Sequence, residues 1–148
     1  MTVIREPERP VPDEHTGLTS SQVNLVQKTW LAYCSGHRDY SRQLFLALFA
    51  RHPDYLALFP FSIKPVASLV DDPVFRTHAT ATGDHLTSLF DSSNEPEMFE
   101  VLACGNAAEH VKRKRVKPDH FQVMGDIVVN VLKAEVHRQL KPASVEAR

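Results

Sequence analysis

Prolines cut this chain into segments, and each longer segment repeats its apolar residues every three to four positions. Pro53, Pro60, Pro65, Pro73, Pro96 and Pro118 make the cuts. Proline has no amide hydrogen and a fixed φ, so it opens or ends a helix and is poorly tolerated inside one. In the first segment Val23, Val26, Trp30 and Tyr33 recur at spacings of three and four, one apolar face of an amphipathic helix. No run favours a strand over a helix, and there is no internal repeat. The expectation is an all-α domain of moderate-length helices.

Helix boundaries follow from local chemistry. Thr19, with Gln22 three residues on, has the form of a capping box, and Leu18 and Val23 are placed for a hydrophobic staple. Gly36 closes that helix. A second helix is expected over about 38–51 with Leu44, Phe45, Leu48 and Phe49 as its buried stripe. Prolines at 60 and 65 argue against a long helix in the next stretch. Asp72-Pro73 supplies an N-cap residue and a proline in the first turn. Val74, Phe75, His78, Ala81, Thr82, His85, Leu86 and Leu89 then follow at helical spacing. A further helix spans about 96–113 and carries Met98, Val101, Leu102 and His110. Pro118 opens the last one, with Phe121, Met124, Val128, Val131, Leu132 and Val136.

The 148 residues suffice for one domain. Residues 1–17, polar and proline-rich, read as a flexible extension, and 18–148 as the folded domain. A net charge of −1 gives no global argument for nucleic acid or an anionic membrane. No apolar stretch approaches the ~20 residues of a membrane span, and no secretory signal is visible. Two cysteines, Cys34 and Cys104, make no disulfide framework and fit a reducing, cytoplasmic setting. Neither has an electropositive neighbour that would mark a nucleophile.

The eight histidines carry the chemistry. His78 lies four residues after Val74 and three after Phe75, so it projects from the buried face of its helix. His110 shares a face with Leu102, Ala103 and Asn106. A buried imidazole without a partner costs about 1–3 kcal/mol, so each needs an occupation. Each could simply bond a backbone carbonyl and pack. Zinc lacks cysteine or carboxylate ligands at zinc-site spacing, and covalent c-type haem lacks its Cys-x-x-Cys-His motif. Non-covalent haem stays open as one reading among these.

A family resemblance goes further. His52-Pro53-Asp54-Tyr55-Leu56-Ala57-Leu58-Phe59 resembles the globin turn that delivers a haem-stacking phenylalanine, here Phe59. Asp72 to His78 resembles the start of the distal helix. Leu102-Ala103 with His110, followed by Val116-Lys117-Pro118-Asp119-His120-Phe121, is similar to the proximal helix, its corner and the next helix start. The tryptophan on the inner face of the first helix, Trp30, matches as well. These matches run in order from about Leu18 to Leu140. The segment 44–51 looks closest to neuroglobin-like and invertebrate intracellular globins.

The resemblance implies a three-over-three helical sandwich holding haem b, with iron bonded to His110. Phe45, Phe59, Thr82, Val116 and Phe121 would line the pocket, and His78 would be the distal residue or a sixth ligand. Phe45 stands where globins that hold oxygen tightly often carry tyrosine. The implied function is reversible binding of oxygen or another diatomic gas. The alternatives are a redox sensor or electron-transfer protein served by a reductase, or a haem-free interaction module. Enzymatic turnover is not expected beyond a nitrite reductase or nitric oxide dioxygenase side activity. Thr82 would add polarity to the pocket or bond within its own helix.

The remaining features weigh less. His85 reads as a half-buried packing or propionate-edge residue, His120 as packing at a helix start, and His15, His37 and His137 as surface residues. The basic run Lys112-Arg113-Lys114-Arg115 with Lys117 favours the C-terminal end of a helix dipole; pairing with haem propionates and targeting are its other readings. The globin pattern ends in a further long helix, which is expected to be missing here after Leu140. Its absence would expose an apolar strip on Val128, Val131 and Leu132, a surface for a homodimer.

Overall fold

The computed structural model describes residues 9–14, 17–61, 64–112 and 116–140. Its regular elements are all helical: α1 (Ser20–Gly36), α2 (Tyr40–Arg51), α3 (Pro73–Asp91), α4 (Pro96–Val111) and α5 (Pro118–Gln139). Short 3-10 segments at Pro53–Leu58 and Val66–Asp71 lie between α2 and α3, where the prolines had ruled out a long helix. The expected missing final helix concerns residues 141–148, outside the described residues.

Local signals set the helix starts. Thr19 Oγ1 accepts from the Gln22 N–H at 3.3 Å and Gln22 Oε1 from the Thr19 N–H at 2.9 Å, so the capping box forms. Asp72 Oδ1 accepts from the Phe75 N–H at 3.0 Å. Lys64 also pairs with Asp72. The Lys64 ammonium and then the Phe75 amide hold the Asp72 carboxyl below its usual range.

Packing centres on α1, α2, α3 and α5. Trp30, Phe49, Phe75, Leu44 and Leu69 are fully buried, each contributing about 1.5–3 kcal/mol in apolar transfer. Trp30 stacks on Phe90 with ring centroids 4.6 Å apart, and its Nε1–H donates to Thr87 Oγ1 at 3.1 Å. Together these tie α1 to α3. Helix α2 crosses α3 at Gly83, where a Cβ would meet the Ser41 Cβ at 2.8 Å. A side chain larger than hydrogen would push the two helices apart.

Three expectations need correction. Val74 is 52% exposed and Ala81 is exposed too; the buried seam of α3 is Phe75, Ala79 and Gly83, which sits about one position round the helix from the assumed face. Val128 is buried, and Val131 and Leu132 pack against the core, because α5 lies on α1 and α2. Of the strip expected to be exposed, Val128 is therefore interior, and Val131 and Leu132 are half-buried. His37 is half-buried instead of a surface residue; its Nδ1–H donates to the Tyr33 carbonyl at 2.9 Å. Among the described residues no helix is long and apolar enough to cross a membrane.

Candidate functional site

The α3 N-cap fixes where His78 emerges, and the chain just before it supplies the surroundings. The His78 ring stands edge-on to Phe45 and Phe59, with centroids 5.3 and 5.1 Å away. Phe61 lies 6.2 Å away and stacks on Phe59 at 5.2 Å and 17°. Phe59 meets Phe45 edge-to-face at 5.7 Å. Such pairings suit the ring quadrupoles. The result is a half-buried imidazole inside a wall of phenylalanines.

Helix α4 supplies the second imidazole. The His110 Nδ1 lies 2.7 Å from the Asn106 carbonyl oxygen, one turn back. A carbonyl only accepts, so Nδ1 carries the proton and the neutral ring keeps its lone pair on Nε2. That is the tautomer a metal-ligating histidine adopts when a carbonyl orients it. Phe121 of α5 stands edge-on at 4.9 Å. Phe99, Leu102, Ala103, Asn106 and His110 are the half-sheltered residues of α4 beyond its first turn, and they share one face, as the sequence suggested. His37 makes the same kind of carbonyl bond at the end of α1, but its ring lies 4.7 Å from Tyr33. The carbonyl bond alone does not mark a ligand; the apolar face around His110 sets it apart.

A third imidazole belongs to the same region. His85 follows His78 by seven residues, which places it about 10.5 Å further along α3 and nearly on the same side. Its Nε2 is buried with no hydrogen-bond partner among the described residues. Burial, chiefly, holds the His85 pKa below its ordinary value, with nearby His110 adding to the shift.

The structure therefore brings Phe45, Phe59 and His78 into one wall and joins His110 to Phe121. Thr82, one turn beyond His78, and Val116, just before α5, are half-buried. Sequence reasoning missed Phe61, which is 3% exposed; the signal was its spacing from Phe59 across Pro60. His120 packs as expected: its Nδ1 accepts from the Lys117 N–H at 2.9 Å and its ring meets Tyr55 at 4.7 Å. Of the basic run, Lys112 pairs with Glu109 at 3.0 Å, while residues 113–115 lie outside the described residues. Cys34 and Cys104 are free thiols, half-buried and exposed respectively. Two open surface hollows, of about 770 and 520 Å³, contain no histidine. Both lie on outer faces, the first along the start of α4 and the second along α3.

Comparison with known proteins finds relatives in sequence and in fold. A family model described as Globin matches residues 42–148. Globin CTT-VI of Chironomus thummi thummi is 32% identical over 124 residues, covering 81% of this chain and 74% of its own length. The fold superposes on the hexa-coordinate hemoglobin of Drosophila melanogaster with a TM-score of 0.71 at 23% identity, covering 80% of this chain and 78% of that one. It also superposes on a hexacoordinated heme protein from an anhydrobiotic tardigrade with a TM-score of 0.75 at 20% identity, covering 91% and 87%.

Proposed function

Because this chain belongs to the globin family, we propose that it holds a non-covalent haem b between α3 and α4 and binds a diatomic gas, oxygen foremost, in reversible fashion. The observation that carries this reading is His110. Its Nδ1–H is fixed by the Asn106 carbonyl, and its Nε2 lone pair is left for iron on the sheltered face of α4. Two further features fit a porphyrin. Phe45, Phe59 and Phe61 form an aromatic wall beside His78, and His85 carries a buried nitrogen in want of a partner. The chain has no Cys-x-x-Cys-His for covalent attachment.

A haem bound there supplies an iron that takes a diatomic gas and exchanges single electrons. The protein controls it through the axial ligand, the polarity opposite, and burial. His110 would hold the iron through Nε2, and Phe59, with Phe45, Thr82, Val116 and Phe121, would line the haem. His78 of α3 would be the polar residue beside the bound gas, and Phe45 next to it offers no hydroxyl to compete. We place the protein in the cytoplasm and read its task as binding, with nitrite or nitric oxide chemistry as a side activity.

A second reading has His78 itself as sixth iron ligand, with a redox or electron-transfer role fed by a reductase. The names of two fold neighbours, hexa-coordinate hemoglobin and hexacoordinated heme protein, favour including it. Titration of the haem-free protein with hemin should give a Soret band with a one-to-one endpoint. In the reduced, gas-free protein, sharp low-spin bands mean His78 ligation; a broad high-spin band means an open sixth position. A chain that stays colourless throughout the titration would overturn the function.

A further inference from the structure

Helix α3 carries one more inward imidazole than gas binding uses. Other polar groups nearby are satisfied within the fold. The Thr77 and Ser88 hydroxyls bond carbonyls one turn back on α3, and His37, His110 and His120 each engage a ring nitrogen with the backbone. His85 Nε2 is the one buried side-chain polar atom without a hydrogen-bond partner among the described residues. Buried polar atoms in folded proteins are nearly always paired, so an orphan calls for an explanation. A leucine would fill similar space without desolvating a nitrogen. The partner is therefore something that arrives with the pocket's contents.

Position narrows the choice. His85 lies two turns along α3 from His78, on nearly the same side, and α3 packs against α4, the helix that carries His110. His78 and His110 are the residues assigned to the iron. A haem carboxylate is a poor partner for this atom, since a carboxylate favours a solvent-exposed edge and His85 Nε2 is buried. A buried imidazole nitrogen suits a small polar guest, to which it gives or from which it takes one hydrogen bond.

We infer that His85 is a second hydrogen-bonding residue of the haem pocket, holding through Nε2 a small polar guest: water at rest, or a small anion of the azide class in its place. The inference rests on the haem reading above. It makes His85 a positioning residue for the guest and gives the pocket two polar points, His78 and His85, along one helix.

The test uses the ferric, haem-loaded full chain with azide as the probe. His85→Leu should melt at a higher temperature than the parent when both are haem-free, because the orphan nitrogen is gone. Once loaded, the same variant should bind azide about ten-fold more weakly, the loss of roughly one hydrogen bond, and its azide infrared band should shift. His85→Gln, which keeps a hydrogen-bonding end, should recover most of the affinity. In the parent protein azide should move the His85 imidazole ¹⁵N resonances, a readout that needs no variant. Unchanged azide affinity and band in His85→Leu, with melting raised equally in both forms, would reduce His85 to a packing residue. Resonances that do not respond to azide would overturn the inference in the same way. Failure of the parent to form a Soret band would instead remove the haem reading, and this inference with it.

Discussion

Two helices of this molecule are nearly opposite in how they are held. Helix α1 buries Val23, Thr29, Trp30 and Tyr33, and Trp30 alone reaches Tyr33, Tyr40, Phe90 and Thr87. Helix α4 has no buried residue among those described. Met98 and Val101, away from the His110 face, are 51% and 68% exposed, the His110 face itself is only half-sheltered, and among the described residues its one substantial helix contact is with α3. Yet α4 carries His110. The contrast separates two tasks. Aromatic packing around α1, α2, α3 and α5 maintains the fold, while the apolar face of α4 is available to something other than protein. A flat apolar cofactor gripped by His110 would be the packing partner that face lacks.

Mutations can sharpen or erase that contrast. Trp30→Ala should lose about 3–5 kcal/mol of stability, read as a lowered denaturant midpoint in the haem-free protein. Val101→Ser on α4 should stay within about 0.5 kcal/mol. Equal losses at the two sites would contradict the division of labour.

Dynamics should follow the packing. In the haem-free protein the amides of α4 should exchange with solvent well before those of α3, since local opening follows sparse burial. Hemin should slow exchange in α4 most. Protection gained equally along all five helices would mean that the ligand stiffens the whole molecule and not this one element.

The α1 side also makes an alkaline prediction. Burial, chiefly, pushes the Tyr33 hydroxyl up to about 12. The unfolded chain ionises near the ordinary value of 10, so the unfolded state loses its proton first as pH rises. Stability from this group is complete below pH 10 and is lost between about 10 and 12. Absorbance at the tyrosinate band should show Tyr33 titrating late, with unfolding setting in across that window. Tyr33→Phe should remove that share of the alkaline loss.

The smallest expected effect is at acid pH, where the α3 start is tested. Lys64 and the Phe75 amide lower the Asp72 carboxyl, so its contribution is present above the unfolded carboxyl range and is lost as pH falls through the lower folded value. Asp72→Asn keeps an N-cap acceptor but loses the charged pair with Lys64, so it should flatten this acid dependence and lower melting modestly at neutral pH. An unaltered acid profile would place the dependence elsewhere.

What was legible in the sequence was local. Thr19 with Gln22, Asp72 with Pro73, and Pro96 and Pro118 set helix starts through bonds that reach three residues or fewer. The stripe of Leu44, Phe45, Leu48 and Phe49 is buried as its spacing implied. The face shared by Leu102, Ala103, Asn106 and His110 held for the same reason, since helical geometry decides it. What stayed hidden depends on partners distant in sequence. Val74 looked inward until the α2 crossing at Gly83 set the rotation of α3. Val131 and Leu132 looked exposed until α5 was seen against the core. Periodicity placed His85 inside, but no spacing rule reveals that its Nε2 finds no acceptor or donor among the described residues.

The central claim is that the His110 Nε2 donates to haem iron, and removing and then restoring that one imidazole tests it most directly. His110→Gly should fold, take up hemin weakly and show a displaced Soret band; free imidazole added to the solution should restore both affinity and spectrum by occupying the space left behind. If His110→Gly binds hemin as tightly as the parent with the same spectrum, and imidazole changes nothing, iron is held by another residue and the account of α4 is wrong.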